Sequence, residues 1–219
     1  MSGFSRRPIA SRDAGWAREM ARRLAASQIT PNQISQASVG FALLAGAAFW
    51  ASAQVGDVVR ALLLLLGAAS CQGRLICNLL DGMVAIEGGR KAPDGPFWNE
   101  APDRAADILI LTGLGLGAGM PVLGWAAAAL AVLTAYVREL GRAEAMPADF
   151  SGPLAKPQRM ALVTGAAVLA AIEPFLSETA YVLPVALWVL IAGTALTAAL
   201  RSRRLILWLK RRDRAADPH

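Results

Sequence analysis

Charged residues are scarce in this chain. They make up 17% of its 219 residues, against about 25% in an ordinary soluble domain. The deficit is matched by long apolar runs, 55% hydrophobic residues in all, and this excludes a conventional water-soluble core protein in favour of a membrane protein with one compact domain. Histidine is nearly missing: His219 is the only one, so histidine acid–base chemistry and a histidine-built metal site are excluded. There are two cysteines, Cys71 and Cys77, six apart in one expected helix; they face different ways, and no disulfide framework is implied. A cleaved signal peptide is not expected, because the polar, basic residues before the first apolar run near residue 33 lack a short apolar region and a small-residue cleavage site. No internal repeat or low-complexity segment stands out.

The apolar runs predict an all-α integral membrane fold. Six spanning helices are expected, near 33–53, 58–82, 103–119, 122–141, 158–174 and 180–202, each approaching the ~20 residues that cross about 30 Å of hydrocarbon. Thr30, Pro31 and Asn32 suit the start of the first. Residues 83–102 are expected as a Gly- and Pro-rich polar loop. Ahead of the spans, residues 12–25 place Trp16, Met20 and Leu24 four apart with arginines on the other faces, the pattern of an amphipathic helix lying on a membrane surface. The expected organisation is an arm with this interfacial helix (1–30), a six-helix domain (31–204) and a basic tail (205–219).

Basic residues set the expected orientation. Arg6, Arg7, Arg12, Arg18, Arg22 and Arg23 precede the first span; Arg90 and Lys91 follow the second; Arg142, Lys156 and Arg159 follow the fourth; seven more lie between Arg201 and Arg214. The opposite connections, near 54–57, 120–121 and 174–180, carry no Lys or Arg. Both termini are therefore expected in the cytoplasm, across a bacterial-type inner membrane. The net charge of +6 is accounted for by anionic lipid and calls for no nucleic acid.

The unusual polar residues gather on that same side. Arg74, Asn78 and Asp81 fall at i, i+4 and i+7 and share one helix face, and Asp103 and Asp107, four apart, share another. Ionisable groups at membrane depth are costly and usually face a cavity or one another. A simple Arg74–Asp81 pair would leave the second acidic pair unexplained. Three converging carboxylates suit a hard divalent cation, Mg²⁺ or Mn²⁺, and nearby basic residues suit an anionic substrate such as a phosphate. Phosphate chemistry at a lipid interface is the reading these residues give.

The segment Cys77–Asp107 resembles the signature of the CDP-alcohol phosphatidyltransferases, D-x-x-D-G-x-x-A-R-x8-G-x-x-x-D-x-x-x-D. Asp81, Gly82 and Ala85 match its D-G-x-x-A, and Asp103 and Asp107 match its last two Asp. The resemblance implies six spanning helices, an amphipathic helix before them, a cytoplasmic site and a homodimer. It also implies transfer of a phosphatidyl group from a CDP-linked lipid (CDP-diacylglycerol) to a small alcohol or alcohol phosphate, with release of CMP and a pair of divalent ions on the pyrophosphate. Carried over, Asp81 and Asp103 become metal ligands and Asp107 a ligand or the general base.

Four departures stand beside the match. Asn78 replaces the first Asp, Ile86 the Arg and Asn99 the second Gly, and the segment between Ala85 and Asn99 is four residues longer. An Asn carbonyl can ligate a divalent ion but brings no charge, so one ion is expected to bind more weakly unless Glu100, or less readily Glu87 or Asp94, substitutes. Arg74, Arg90, Lys91 and Arg104 are candidates for the missing Arg, with Arg74 favoured by helix face. Asn32, Arg74, Gly82, Ala85 and Arg104 are the expected donor-binding set, Gly82 with Gly88 and Gly89 turning the chain out of its helix toward a ligand. Arg138, Arg142, Lys156 and Arg159 are the expected acceptor-phosphate set; flanking topogenic charge, or pairing with Glu139 and Glu144, would account for them equally. Beside the transferase stand three other readings: transfer of a phospho-headgroup from a soluble CDP-alcohol to a lipid hydroxyl, a non-catalytic member that binds nucleotide or lipid, and an unrelated transporter.

Overall fold

The computed structural model describes residues 15–27, 29–87, 93–177 and 179–216. Those residues form seven α-helices and a short 3-10 turn, with no strand among them. The helices are α1 (Gly15–Ala26), α2 (Pro31–Ser52), α3 (Asp57–Glu87), α4 (Gly95–Gly117), α5 (Pro121–Ala143), α6 (Lys156–Ile172) and α7 (Val182–Ala216), the 3-10 turn Glu173–Phe175 following α6.

Helix starts follow local chemistry. At α2 the Thr30 hydroxyl accepts from the Gln33 N–H at 3.2 Å while the Gln33 side chain accepts from the Thr30 N–H at 2.9 Å, and Pro31 occupies the first turn. This reciprocal box satisfies two of the orphan donors a helix start leaves. A proline also opens α4, α5 and α6, where its missing N–H costs nothing. The expected 83–102 loop is much shorter in the structure: α3 continues to Glu87 and α4 begins at Gly95. Pro102 is buried within α4, one of the positions where the sequence argues most strongly for loop.

The α2 helix packs on α3 and α4, α4 on α5, α5 on α7, α3 on α6 and α6 on α7, with α1 resting on α3. One core cluster runs through the bundle, with Phe49, Leu64, Ile110, Leu111, Leu114, Met160, Val163 and Leu187 among its fully buried members. Small residues let the helices close in. A Cβ on Gly113 would stand 2.3 Å from the Gly46 carbonyl oxygen, and one on Gly117 would stand 2.2 Å from that of Phe49. Helices α2 and α4 therefore touch backbone to backbone, the contact that small residues permit in membrane bundles. Large apolar side chains such as Leu62, Val122, Trp125, Val185 and Trp188 are exposed around the outside.

Helices α2, α3, α5 and α7 are long and apolar enough to cross a membrane. The other two expected spans are not: α4 carries Glu100, Asp103, Arg104 and Asp107 between its start and its middle turn, and α6 has 17 residues, about 25 Å at 1.5 Å per residue. A second small cluster joins Ala17 and Ala21 of α1 to Ile34, Leu79, Leu80, Met83 and Val84. Alanines thus seat α1 on the end of α3, while Trp16 and Met20, 51% and 41% exposed, point away from the bundle.

Candidate functional site

Three of the five buried charged side chains among the described residues, Arg74, Asp107 and Arg159, gather where α3, α4 and α6 meet. Arg74 lies on α3, is fully buried, and is the largest such side chain among the described residues. Its Nη2 donates to Asp107 Oδ1 at 3.1 Å, to Asp103 Oδ1 at 3.4 Å and to the Asp103 carbonyl at 3.3 Å. It does not pair with Asp81. Helical side chains lean toward the N-terminus, so the Arg74 guanidinium leans away from residue 81 and toward the α4 acids.

Asp107, 1% exposed, completes its pairing with Arg159, whose Nη2 donates to Oδ2 at 2.7 Å. Arg159 is held in turn by the Leu154 carbonyl at 3.2 Å and the Thr134 hydroxyl at 3.5 Å. Asp103 accepts from Asn78 Nδ2 at 2.6 Å and from Lys156 Nζ. Asp81 accepts from the Ser35 hydroxyl at 2.8 Å and is the one carboxylate of the three with no ion-pair partner among the described residues. Sequence reasoning missed Ser35; its signal was a hydroxyl in the first turns of an otherwise apolar helix, one turn past Pro31.

Lys156 and Arg159 reach this cluster because the α5–α6 connection is tied to α7. Arg201, 6% exposed, donates to the Ser151 carbonyl at 2.9 Å and the Thr134 carbonyl at 3.0 Å, and Thr197 accepts from the Leu154 N–H at 3.0 Å. Gly152 permits the approach: its φ is +131°, and a Cβ there would stand 2.4 Å from the Thr197 methyl. Neither Arg201 nor Thr197 was a sequence candidate; an arginine near the end of the last helix reads as flanking charge until the partner carbonyls are known. In the same connection, burial would raise Asp149, but the Ser151 hydroxyl and N–H and the charges of Arg204 and Arg201 outweigh it and hold its carboxyl below the ordinary value.

Several expected site residues lie to one side. Glu100 pairs with Arg104 and Arg138; it balances basic residues and does not join the Asp cluster. Arg138 also donates to Glu139 at 2.8 Å and stands 5.4 Å from the Phe150 ring centroid, and Arg142 donates to Glu139 at 2.9 Å. Arg138 and Arg142 are thus tied to glutamates, while Lys156 and Arg159 are tied to the central acids. Asn32 Nδ2 donates to both oxygens of Asp94 at 3.2 Å, and Trp98 Nε1 adds a third bond to Asp94 at 2.8 Å, which fixes the start of α4 against the start of α2. The expectation that Gly82 turns the chain out of its helix is corrected: α3 runs straight through it, and a Cβ there would meet open space. Ala85 is half-buried on the same helix. Gly88, Gly89, Arg90 and Lys91 lie outside the described residues.

Oxygen donors of this kind suit Mg²⁺ or Mn²⁺ in chemistry, but their arrangement does not fit a pair of ions. Among the described residues no three acidic or cysteine side chains come together as metal ligands. The buried side-chain atoms left without partners at the site are N–H donors, Nε and Nη1 of Arg74 and Nε of Arg159, and no oxygen of Asp81, Asp103 or Asp107 is among them. A cation site leaves acceptors waiting; this one leaves donors.

No family model matches the chain. Over 132 residues it is 35% identical to a bifunctional IPC transferase and DIPP synthase of Rubrobacter xylanophilus, a match that covers 57% of this chain and 27% of that protein. The fold superposes on the crystal structure of Mycobacterium tuberculosis phosphatidylinositol phosphate synthase with CDP-DAG bound, with a TM-score of 0.73 and 19% identity over 88% of this chain and 94% of that one. The same synthase in complex with manganese and citrate gives a TM-score of 0.72, over 86% and 88% of the two chains. The fold is thus that of the phosphatidylinositol phosphate synthase structures, and over its matched stretch the chain is similar to the IPC transferase and DIPP synthase, of whose length it spans about a quarter.

Proposed function

We propose that the chain is an integral membrane transferase that moves a phosphatidyl group from a CDP-linked lipid to an alcohol acceptor. The carrying observation is the convergence of Asp81 and Asn78 from α3, Asp103 and Asp107 from α4, and Lys156 and Arg159 from α6 at one end of the bundle. It is supported by a neighbour of the same fold that holds CDP-DAG. In this reading the acceptor oxygen attacks the lipid-bearing phosphorus, the P–O bond to CMP breaks, and the hydroxyl proton passes to a carboxylate.

Exposure sorts the carboxylates. Asp107 has both oxygens committed to guanidiniums and acts by holding Arg74 and Arg159. Asp103, 18% exposed, and Asp81, without a cationic partner, are the acids that can meet a substrate hydroxyl. Lys156 and Arg104, each 22% exposed, are the cations placed to meet phosphate; Arg138 and Arg142 line the same side of the site through Glu139. A neighbour was solved with manganese; of the expected donors Asn78, Asp81, Asp103, Asp107 and Glu100, Asn78 turns its amide nitrogen to Asp103 and Glu100 pairs with Arg104 and Arg138, which leaves the three Asp as the oxygen donors at this end. The reading includes six spans with α4 and α6 completing the bundle, α1 on the cytoplasmic surface with Trp16 and Met20 in the headgroup layer, an inner-membrane location with both termini cytoplasmic, and a homodimer.

The test is CMP release from radiolabelled CDP-diacylglycerol by the purified protein in nanodiscs, with glycerol 3-phosphate, inositol phosphate, inositol, serine and glycerol as acceptors. Release with one acceptor, lost in Asp103→Asn, is the expected result. No release with any acceptor overturns the transferase reading. The second reading, a member that binds the nucleotide-linked lipid without turnover, is favoured by one observation: the double guanidinium clamp on Asp107. Binding of CDP-diacylglycerol without CMP release would establish it.

A further inference from the structure

We infer that this chain neutralises its signature carboxylates with its own cations, Arg74, Lys156 and Arg159, and holds no pair of divalent ions there. The inference deepens the reading above and rests on it only in placing an anionic, nucleotide-linked lipid at this end of the bundle.

Each oxygen of the α4 pair already has a donor. Asp103 Oδ1 accepts from Asn78 and Arg74 and its Oδ2 from Lys156. Asp107 Oδ1 accepts from Arg74 and its Oδ2 from Arg159. Asn78 is turned the wrong way for a ligand: a carboxylate oxygen only accepts, so the amide nitrogen must face Asp103. The substitution of Asn for Asp at this position thus supplies a donor to the cluster in place of a further negative charge.

Charge leads to the same conclusion. Arg74, Lys156 and Arg159 pair with Asp103 and Asp107, and with the unpaired Asp81 counted in, three cations stand against three carboxylates. Two divalent ions would add four positive charges to a balanced, largely buried cluster, and uncompensated charge at such a site is expensive. Arg74 cannot step aside, being fully buried and bonded to the α4 backbone as well as to both acids. The site's remaining appetite is for an acceptor, since Arg74 Nε and Nη1 and Arg159 Nε lack partners. Built-in cations therefore take the part that metal charge would otherwise play beside an anionic ligand.

The experiment titrates Mn²⁺ into wild-type protein in nanodiscs of zwitterionic lipid and reads free Mn²⁺ by electron paramagnetic resonance. The expected result is a free-Mn²⁺ signal that matches empty nanodiscs. Lys156→Met, which frees Asp103 Oδ2 and removes one positive charge at contact distance, is expected to take up Mn²⁺ at least about tenfold more tightly than wild type. Lys156→Arg, which restores the charge, is expected to behave as wild type. Uptake of two equivalents by the wild type, lost in Asp81→Asn, overturns the inference. Uptake by Lys156→Met no tighter than by wild type overturns it equally, and the wild-type titration decides the matter alone if that variant does not fold. CMP release measured in parallel with EDTA and with Mn²⁺ keeps the two ideas apart: its absence under both conditions counts against the transferase, whereas Mn²⁺ uptake counts against the cation substitution.

Discussion

Replacing Arg74 by Met tests the charge cluster directly. Methionine approximates the arginine stem in length and apolar character, so the change removes the guanidinium while leaving little cavity. Arg74 is fully buried, and its partners Asp103 and Asp107 are 18% and 2% exposed. Removal leaves three carboxylates facing two cations at a largely buried site. Breaking one partner of a buried pair costs about 3–5 kcal/mol, because the surviving charge loses its compensation. For a chain of this size each kcal/mol moves the melting temperature by about 2–4 °C, so a drop of about 6–20 °C is expected. Arg74→Lys should lose less, about 1–3 kcal/mol, because an ammonium keeps the charge but cannot bridge two carboxylates and a carbonyl from one planar fork. Thermal unfolding in detergent at neutral pH, followed by the fluorescence of the six tryptophans, gives both numbers. A Met variant within about 1 kcal/mol of wild type would refute the claim that Arg74 neutralises the α4 acids.

Other outcomes follow from the same geometry. Gly113→Ala should cost about 1–3 kcal/mol despite alanine's better helix propensity, because its Cβ would meet the Gly46 carbonyl at 2.3 Å; Gly165→Ala, where nothing lies within 4 Å, should be neutral or slightly stabilising in the same melting assay. Ser35→Ala removes the hydrogen bond to Asp81 and should cost about 1 kcal/mol, and loss of CMP release with stability retained would mark Asp81 orientation as the affected step. Asp149 has a lowered folded-state pKa, so its contribution is present above the ordinary carboxylate value near ~3.9 and is lost as pH falls through the folded value. The melting difference between wild type and Asp149→Asn should accordingly be full at neutral pH and vanish in strong acid; a difference that grows on acidification would contradict the sign.

Much of the site was legible because helical spacing is a local property. Asp103 and Asp107 share a face as surely as four residues span one turn, and Arg74 and Asn78 do the same. The proline-marked starts of α2 and α5 fell within two residues of expectation for a like reason: a proline fits the first turn and little else. The α3–α4 connection was less legible. Gly82, Gly88, Gly89 and Pro102 read as loop, yet α3 passes through Gly82 and α4 encloses a buried Pro102. There packing and the Asn32–Asp94–Trp98 bonds decide what composition alone assigns to coil.

The sequence by itself determined an all-helical, apolar chain, a polar cluster at one end of it, and a resemblance carried by Asp81, Asp103 and Asp107. Only the tertiary structure decided who partners whom. Arg74 could have met Asp81 on its own helix and meets the α4 acids instead; Glu100 could have joined the acids and joins Arg104 and Arg138; Lys156 and Arg159 arrive from α6 because Arg201 and Thr197 hold the connection before it. The physical reason is that composition fixes how much charge must be buried, whereas its pairing depends on which helices the bundle brings side by side.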